Sequence, residues 1–166
     1  MKQLSIYGIV TGILIAGYMY LAYLTDAYHY QLGQFTGLVS LVLTVLGIFF
    51  GMRAYRQYSR QGIMSYWQGV LAGVLISVFA GLITAAFTFV YLQYINPGFV
   101  DILVELKRRN LMQQGASEVQ VQSNAIVNRE IYQPLPQALL ALGGYVAAGC
   151  LLSLIAAGFL KSRKPE

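Results

Sequence analysis

Residues 66–95 read YWQGVLAGVLISVFAGLITAAFTFVYLQYI, a run without one Asp, Glu, Lys, Arg or His. About 20 apolar residues are enough to cross the hydrocarbon core of a bilayer. This longer run reaches roughly 45 Å as a helix, against a core of about 30 Å. In lipid every backbone N–H and C=O must find its partner inside the segment, so the run is a helix. The excess length is taken up by tilt, or by residues 66–68 lying along the interface before the span begins.

Working outward, three further stretches reach spanning length, at about residues 4–24, 35–52 and 135–160, and none contains Asp, Glu, Lys, Arg or His. A membrane β-barrel would need short strands of alternating polarity, and residues 38–51 show no such alternation. The expected fold is therefore all-α: an integral membrane four-helix bundle forming one transmembrane domain over residues 1–166. A helical segment, about 96–134, links the third and fourth spans. Composition agrees. Hydrophobic residues make up 57% of the chain and charged residues 10%, well under the roughly 25% charged that a soluble domain carries. The first run is too long for a signal-peptide core and no small-x-small cleavage site follows it, so it reads as an uncleaved span.

The net charge of +5 would suit nucleic acid if the basic residues were clustered on one surface, but they flank the apolar runs. Lys2, Arg53, Arg56, Arg60, Lys161, Arg163 and Lys164 fall on one side of a four-span layout. By the positive-inside rule that side is cytoplasmic, with both termini inside. The other four, Lys107, Arg108, Arg109 and Arg129, lie in the outer segment beside Asp101, Glu105, Glu118 and Glu130. That segment is near neutral and is expected to be periplasmic, in a bacterial inner membrane. Tyr18, Tyr20, Tyr23, Tyr28, Tyr30, Tyr91, Tyr94 and Tyr132 gather at the outer boundary; Tyr7, Tyr55, Tyr58, Tyr66 and Trp67 mark the inner one.

The outer segment carries helix signals. Asn96 and Pro97 read as an N-cap and first-position pair, with Phe99, Ile102, Leu103 and Leu106 on one face. Glu105 and Arg109 are four apart, Lys107–Arg109 suit the negative C-terminal end, and Gly115 ends the helix. Ser117 and Gln120 resemble a capping box for a second helix. Against it, Val119, Gln120, Val121 and Gln122 alternate like a strand. Pro134 and Pro136 bound the segment.

The pattern Gly47-Ile48, Tyr55-Arg56, Gly62-Ile63-Met64-Ser65-Tyr66-Trp67-Gln68-Gly69, Gly81-Leu82-Ile83 and Tyr94-Ile95-Asn96-Pro97 resembles the domain-of-unknown-function 4199 family. The resemblance covers nearly the whole chain and is densest from Gly47 to Val100. It implies a small four-span inner-membrane protein of Bacteroidota and brings no catalytic residues with it. The chain has Asn96 where the family pattern has Asp, and Gly69 where it has Ala, so no carboxylate role carries over. The resemblance also implies a genomic setting near glycosyltransferases that use polyprenyl-phosphate carriers.

Within the third run, Gly69, Gly73, Ser77, Gly81 and Ala85 recur every four residues. Small residues at that spacing let helix backbones approach closely, which drives helix pairing in lipid. Three partners fit such a ridge: another span of the same chain, a second protein chain, or a lipid or ligand. Gly8/Gly12, Gly47/Gly51 and Gly144/Ala148 are shorter versions. Arg53, Arg56 and Arg60 extend one helix face just inside the membrane, where they mark topology and could contact anionic lipid.

Catalytic chemistry has little to work with. His29, three residues from Asp26, is the one acid/base pair, and no third group orients it. Cys150, the single cysteine, excludes an internal disulfide, lies within a span and has no neighbouring base on its helix. No span carries the mid-membrane charge that ion-coupled transporters place there. The expectation is a protein with no catalytic, metal or cofactor site that binds membrane lipids and no nucleic acid. Its leading function is that of a non-enzymatic accessory or assembly subunit, as a homo-oligomer or with a membrane-protein partner. The alternative is a small oligomeric channel or a lipid or polyprenyl-carrier handling protein.

Overall fold

The structure, a computed structural model, describes residues 2–25, 36–59 and 62–160. Its α-helices are α1 (Lys2–Leu24), α2 (Thr36–Ser59), α3 (Tyr66–Val90), α4 (Phe99–Gln113), α5 (Glu118–Ile131) and α6 (Pro134–Leu160), and no strand occurs among the described residues. Helices α1, α2, α3 and α6 are long and apolar enough to cross a membrane, in the four places the hydropathy reading gives. Helix α2 runs past the apolar stretch ending at Met52 and carries Arg53 and Arg56 on its last turns. The bilayer sets where apolar residues stop, whereas helix propensity decides where the helix stops, and Arg53, Ala54, Arg56 and Gln57 continue a helix well.

Helix α3 begins at a reciprocal cap. Ser65 N–H donates to Gln68 Oε1 at 3.2 Å, and Gln68 N–H donates to Ser65 Oγ at 3.4 Å. This is a capping box that satisfies two otherwise orphan donors. Residues 66–68 are thus the first turn of α3. Before the cap, Gly62 takes φ +85 and its N–H donates to the Arg56 carbonyl at 3.0 Å; side chains rarely tolerate that backbone conformation. At its other end α3 passes into a π-turn, Tyr91–Ile95, closed by Asn96 N–H on the Tyr91 carbonyl at 2.8 Å. The wider turn re-phases the helix, and consecutive Tyr91 and Leu92 are both buried.

Asn96 does not cap α4 as its sequence position suggests. Its backbone (φ −139, ψ 71) closes the π-turn, its side-chain Nδ2 donates to the Tyr91 hydroxyl at 3.1 Å, and Gly98 occupies the N-cap position of α4. The phenol competes for the amide, so the helix starts two residues later than the Asn-Pro signal implies.

Close contacts divide the chain into two compact units, residues 1–84 with 142–166, and residues 85–141. The first holds α1, α2, most of α3 and most of α6. Its core joins Leu4, Ile48, Met52, Met64, Ala72, Ile76 and Leu160, with Tyr55, Leu152 and Ala156 packed against it. Glycines bring its helices together. Gly47 lies against Thr11 and Gly51 against Tyr7, an antiparallel pairing of α2 with α1. Gly8 faces the Ile76 carbonyl and Phe79, and Gly12 faces the Ala80 carbonyl and Ile83, so α1 runs parallel to α3.

The second unit holds the π-turn and the α4–α5 hairpin. Gly115 (φ +78) turns the chain between them: its N–H donates to Met112 O at 3.0 Å and Ala116 N–H donates to Leu111 O at 3.1 Å. Those two bonds are a Schellman ending. Ser117 and Gln120 form the second capping box, with bonds of 3.1 and 3.4 Å. The strand-like alternation of residues 119–122 is therefore overruled locally, because the cap and turn chemistry commit the segment to helix.

Candidate functional site

The small-residue ridge lies on the inward face of α3. Gly69, Gly73, Ser77 and Gly81 are buried and Ala85, which belongs to the second unit, is half-buried. A Cβ placed on Gly69 would lie 3.0 Å from Ala157 Cβ, and one on Gly81 would lie 3.2 Å from Tyr145 Cβ and 3.1 Å from Leu142 Cδ1. One on Gly73 would collide with Ser153 and with Met52 Cε, and one on Gly149 would collide with Ser77. The pairs 69/157, 73/153, 77/149 and 81/145 share one residue-number sum, as an antiparallel helix pair must. The face of α6 that meets the ridge is thus Tyr145, Gly149, Ser153 and Ala157. The Gly144/Ala148 pair singled out by spacing is not on it, since a side chain at Gly144 would meet nothing within 4 Å.

Hydroxyls within these helices turn back on their own backbone. Ser77 Oγ donates to Gly73 O at 2.9 Å, Thr84 Oγ1 to Ala80 O at 2.9 Å, and Ser153 Oγ to Gly149 O. On α1 and α2, Thr11 donates to Tyr7 O at 2.7 Å and Thr44 to Ser40 O at 2.8 Å. A hydroxyl satisfied this way behaves as a small packing group. Polar ties also join the helices. The Tyr145 and Ser40 side chains share a hydrogen bond, and the Tyr66 hydroxyl donates to the Leu154 carbonyl at 3.2 Å.

At the C-terminal end of α2 the predicted basic face separates into distinct roles. Arg53 is exposed. Arg56 is half-buried, and its Nη1 donates at 3.1 Å to the carbonyl of Leu160, the last residue of α6. A cation at a helix C-terminus satisfies an orphan carbonyl and opposes the helix dipole. Its Nε is buried without a hydrogen-bond partner. Arg60 lies outside the described residues, as do Asp26, His29, Lys161, Arg163 and Lys164. Cys150 is a half-buried free thiol on α6. Among the described residues no three His, Cys, Asp or Glu side chains come together as a metal site would require.

The hairpin of the second unit is held by charge at its surface. Glu105 accepts from Arg108 Nε at 2.8 Å and from Arg109 Nε at 3.0 Å, and Arg129 reaches Asp101 at 3.2 Å, tying α5 to α4. Hydrogen bonds from Arg108 and Arg109 hold the Glu105 carboxyl below the usual carboxylate range; the same bond raises Arg108. Helix α4 has no buried residue. Spacing along the chain could reveal the Glu105 pairs, but not Asp101 with Arg129 or Arg56 with Leu160, which are distant in sequence.

A family model described as protein of unknown function (DUF4199) matches residues 6–162. No curated protein and no solved structure matches the chain.

Proposed function

The chain belongs to the DUF4199 family, and from that premise we propose that it is a non-enzymatic accessory or assembly subunit of a bacterial inner-membrane complex. Both termini are cytoplasmic in this reading and the α4–α5 hairpin is periplasmic. One observation carries it: the closest-packing surface of the span helices is already taken up inside the chain, while no residue of α4 is fully buried and Leu106 and Met112 on it are exposed. The ridge on α3 is occupied by Tyr145, Gly149, Ser153 and Ala157 of α6, which supports a self-sufficient scaffold. Helix α4, amphipathic yet without a buried residue, supports the hairpin as the part that meets a partner. The charge asymmetry between Lys2, Arg53, Arg56, Arg60 and the tail on one side and the neutral hairpin on the other supports the orientation.

Purification from native membrane in mild detergent tests the role. A stoichiometric membrane-protein partner, lost when Leu106 and Met112 on α4 are changed to Ser, is the expected result. A chain that purifies alone, or only as a homo-oligomer around a wet axis, overturns it. Labelling by an impermeant thiol reagent checks the orientation. With Cys150→Ala as background, Ser117→Cys is expected to react in intact spheroplasts; protection there would reverse the topology.

A further inference from the structure

Helix α5 keeps most of its apolar residues out of the protein. Of its five Val and Ile residues only Val121 is buried, at 5% exposure; Val119 is 78% exposed, Ile126 64%, Val127 53% and Ile131 40%. At 100° per residue those four fall within an arc of roughly 140°, on the side away from Val121. The arc does not stop at the end of α5. Val127 and Ile131 continue at the same spacing of four into Leu135 and Leu139 of α6, both exposed, with only Tyr132 and Gln133 between the two helices. The joint is short and tied: Gln137 N–H donates to Gln133 O at 3.0 Å and its side-chain Nε2 donates to Ile131 O at 3.3 Å. Leu135 and Leu139 belong to a helix long and apolar enough to cross a membrane, so the exposed track on α5 is continuous with a lipid-facing one. The other end of the hairpin is tethered nearly as closely, since only three residues separate α4 from the π-turn that ends the third span.

We propose that α5 is an interfacial helix, lying along the membrane surface with Val119, Ile126, Val127 and Ile131 seated at the boundary between headgroups and acyl chains. Gln120, Ser123 and Glu130 share the arc, which keeps the seat at headgroup level and out of the hydrocarbon. Four basic and four acidic side chains cancel across the hairpin. The attraction is therefore apolar, insensitive to salt and to anionic lipid, unlike that of basic amphipathic helices. This inference rests on the membrane-spanning reading of α3 and α6, and it leaves α4 free to meet a partner.

Nitroxide labels attached to Val119→Cys, Ile126→Cys, Ile131→Cys and, as controls, Leu139→Cys and Arg109→Cys would be introduced singly into the Cys150→Ala chain. Each variant would be reconstituted in phosphatidylcholine vesicles and the collision rates with oxygen and with a water-soluble nickel chelate compared. Labels at 119 and 126 are expected to favour oxygen several-fold more than the label at 109, and less than the label at 139. Val119 is decisive because it lies at the far end of the hairpin from the spans. Oxygen preference at 131 alone, with 119 reading as water, means the hairpin stands upright and overturns the proposal. Protection of 119 and 126 from both reagents means a protein surface covers α5, and also overturns it. A label at 139 that reads as water removes the membrane-spanning premise itself, an outcome distinct from the other two.

Discussion

The contact between α3 and α6 and the contact between α4 and α5 are both antiparallel helix pairs in one short chain, and they are held by opposite means. The first is made by leaving side chains out: Gly69, Gly73, Gly81 and Gly149 supply the proximity, and Ser77 and Ser153 fold their hydroxyls onto their own helices. The second is made with side chains in place: Val121 is buried on α5, Arg129 reaches Asp101 across the surface, and Schellman and capping-box bonds fix the turn. Solvent explains the difference. Lipid gives apolar side chains no reason to leave it, so helices there gain by backbone proximity and dispersion. Water rewards exposed charge and local capping, each worth only about 1 kcal/mol or less.

The largest effect expected on this contrast comes from Gly73. Gly73→Leu drives a side chain into Ser153 and Met52 and is expected to destabilise the chain by about 3 kcal/mol, the upper range for overpacking. Gly81→Leu, whose added Cβ would sit tightly at 3.1 Å from Leu142 Cδ1 and 3.2 Å from Tyr145 Cβ without the collision seen at Gly73, should cost less. Gly144→Leu, which meets nothing, should melt like wild type in detergent. Gly149→Ala collides with Ser77, and a second change, Ser77→Gly, should recover much of the loss in a double-mutant cycle. Equal melting of the Gly73 and Gly144 variants would dissolve the contrast.

A smaller effect is expected at Arg56, where a charge does work within the first unit. Arg56→Met removes the bond to the Leu160 carbonyl, a helix-end interaction of about 1 kcal/mol. It also removes a buried, unpartnered Nε, which offsets part of that loss. Arg56→Lys retains the cation without the Nε and should melt at or above the Met variant. A Met variant more stable than wild type would show that the desolvated guanidinium outweighs its cap.

The smallest effect lies on the hairpin. Glu105 has a folded pKa below its unfolded value, through its hydrogen bonds to Arg108 and Arg109. Its contribution is present above the ordinary carboxylate pKa and is lost as pH falls through the depressed folded value. Acidification across that window should speed amide exchange in α4 near Glu105, leave α3 and α6 unchanged, and have no such effect in Glu105→Gln. Because the carboxylate is open to solvent, screening keeps the change local; a shift in whole-chain melting would mean the hairpin is coupled to the span helices.

Much of this architecture was legible from residues alone, and the rest fails for identifiable reasons. Four spans follow from runs without charge, and Gly115 announces a turn because few other residues accept its φ. The ridge at Gly69, Gly73, Ser77 and Gly81 is visible as spacing on one helix. Its partner face is not, because α6 carries small residues on several sides: Gly143, Gly144 and Gly158 are as small as Gly149, yet only Gly149 meets α3. Periodicity defines faces, and which face turns inward depends on the other helix. Asn96 misled for a similar reason, since the Tyr91 hydroxyl that claims its side chain is brought near by the π-turn.

The shared sum of the α3–α6 pairs acts as a ruler. If α6 slid along α3 by one turn, about 5.4 Å, Gly73 would come level with Gly149, but Ser77 would come level with Tyr145, a ring where a glycine had been. A slide the other way would pull the Leu160 carbonyl away from Arg56 Nη1, which holds it at 3.1 Å. A bulky stop against one slide and a hydrogen-bonded tie against the other favour a single register. The pair is built as a fixed strut and not as a piston, so any signal crossing from one face of the membrane to the other would have to travel by tilting or rotation of the whole pair.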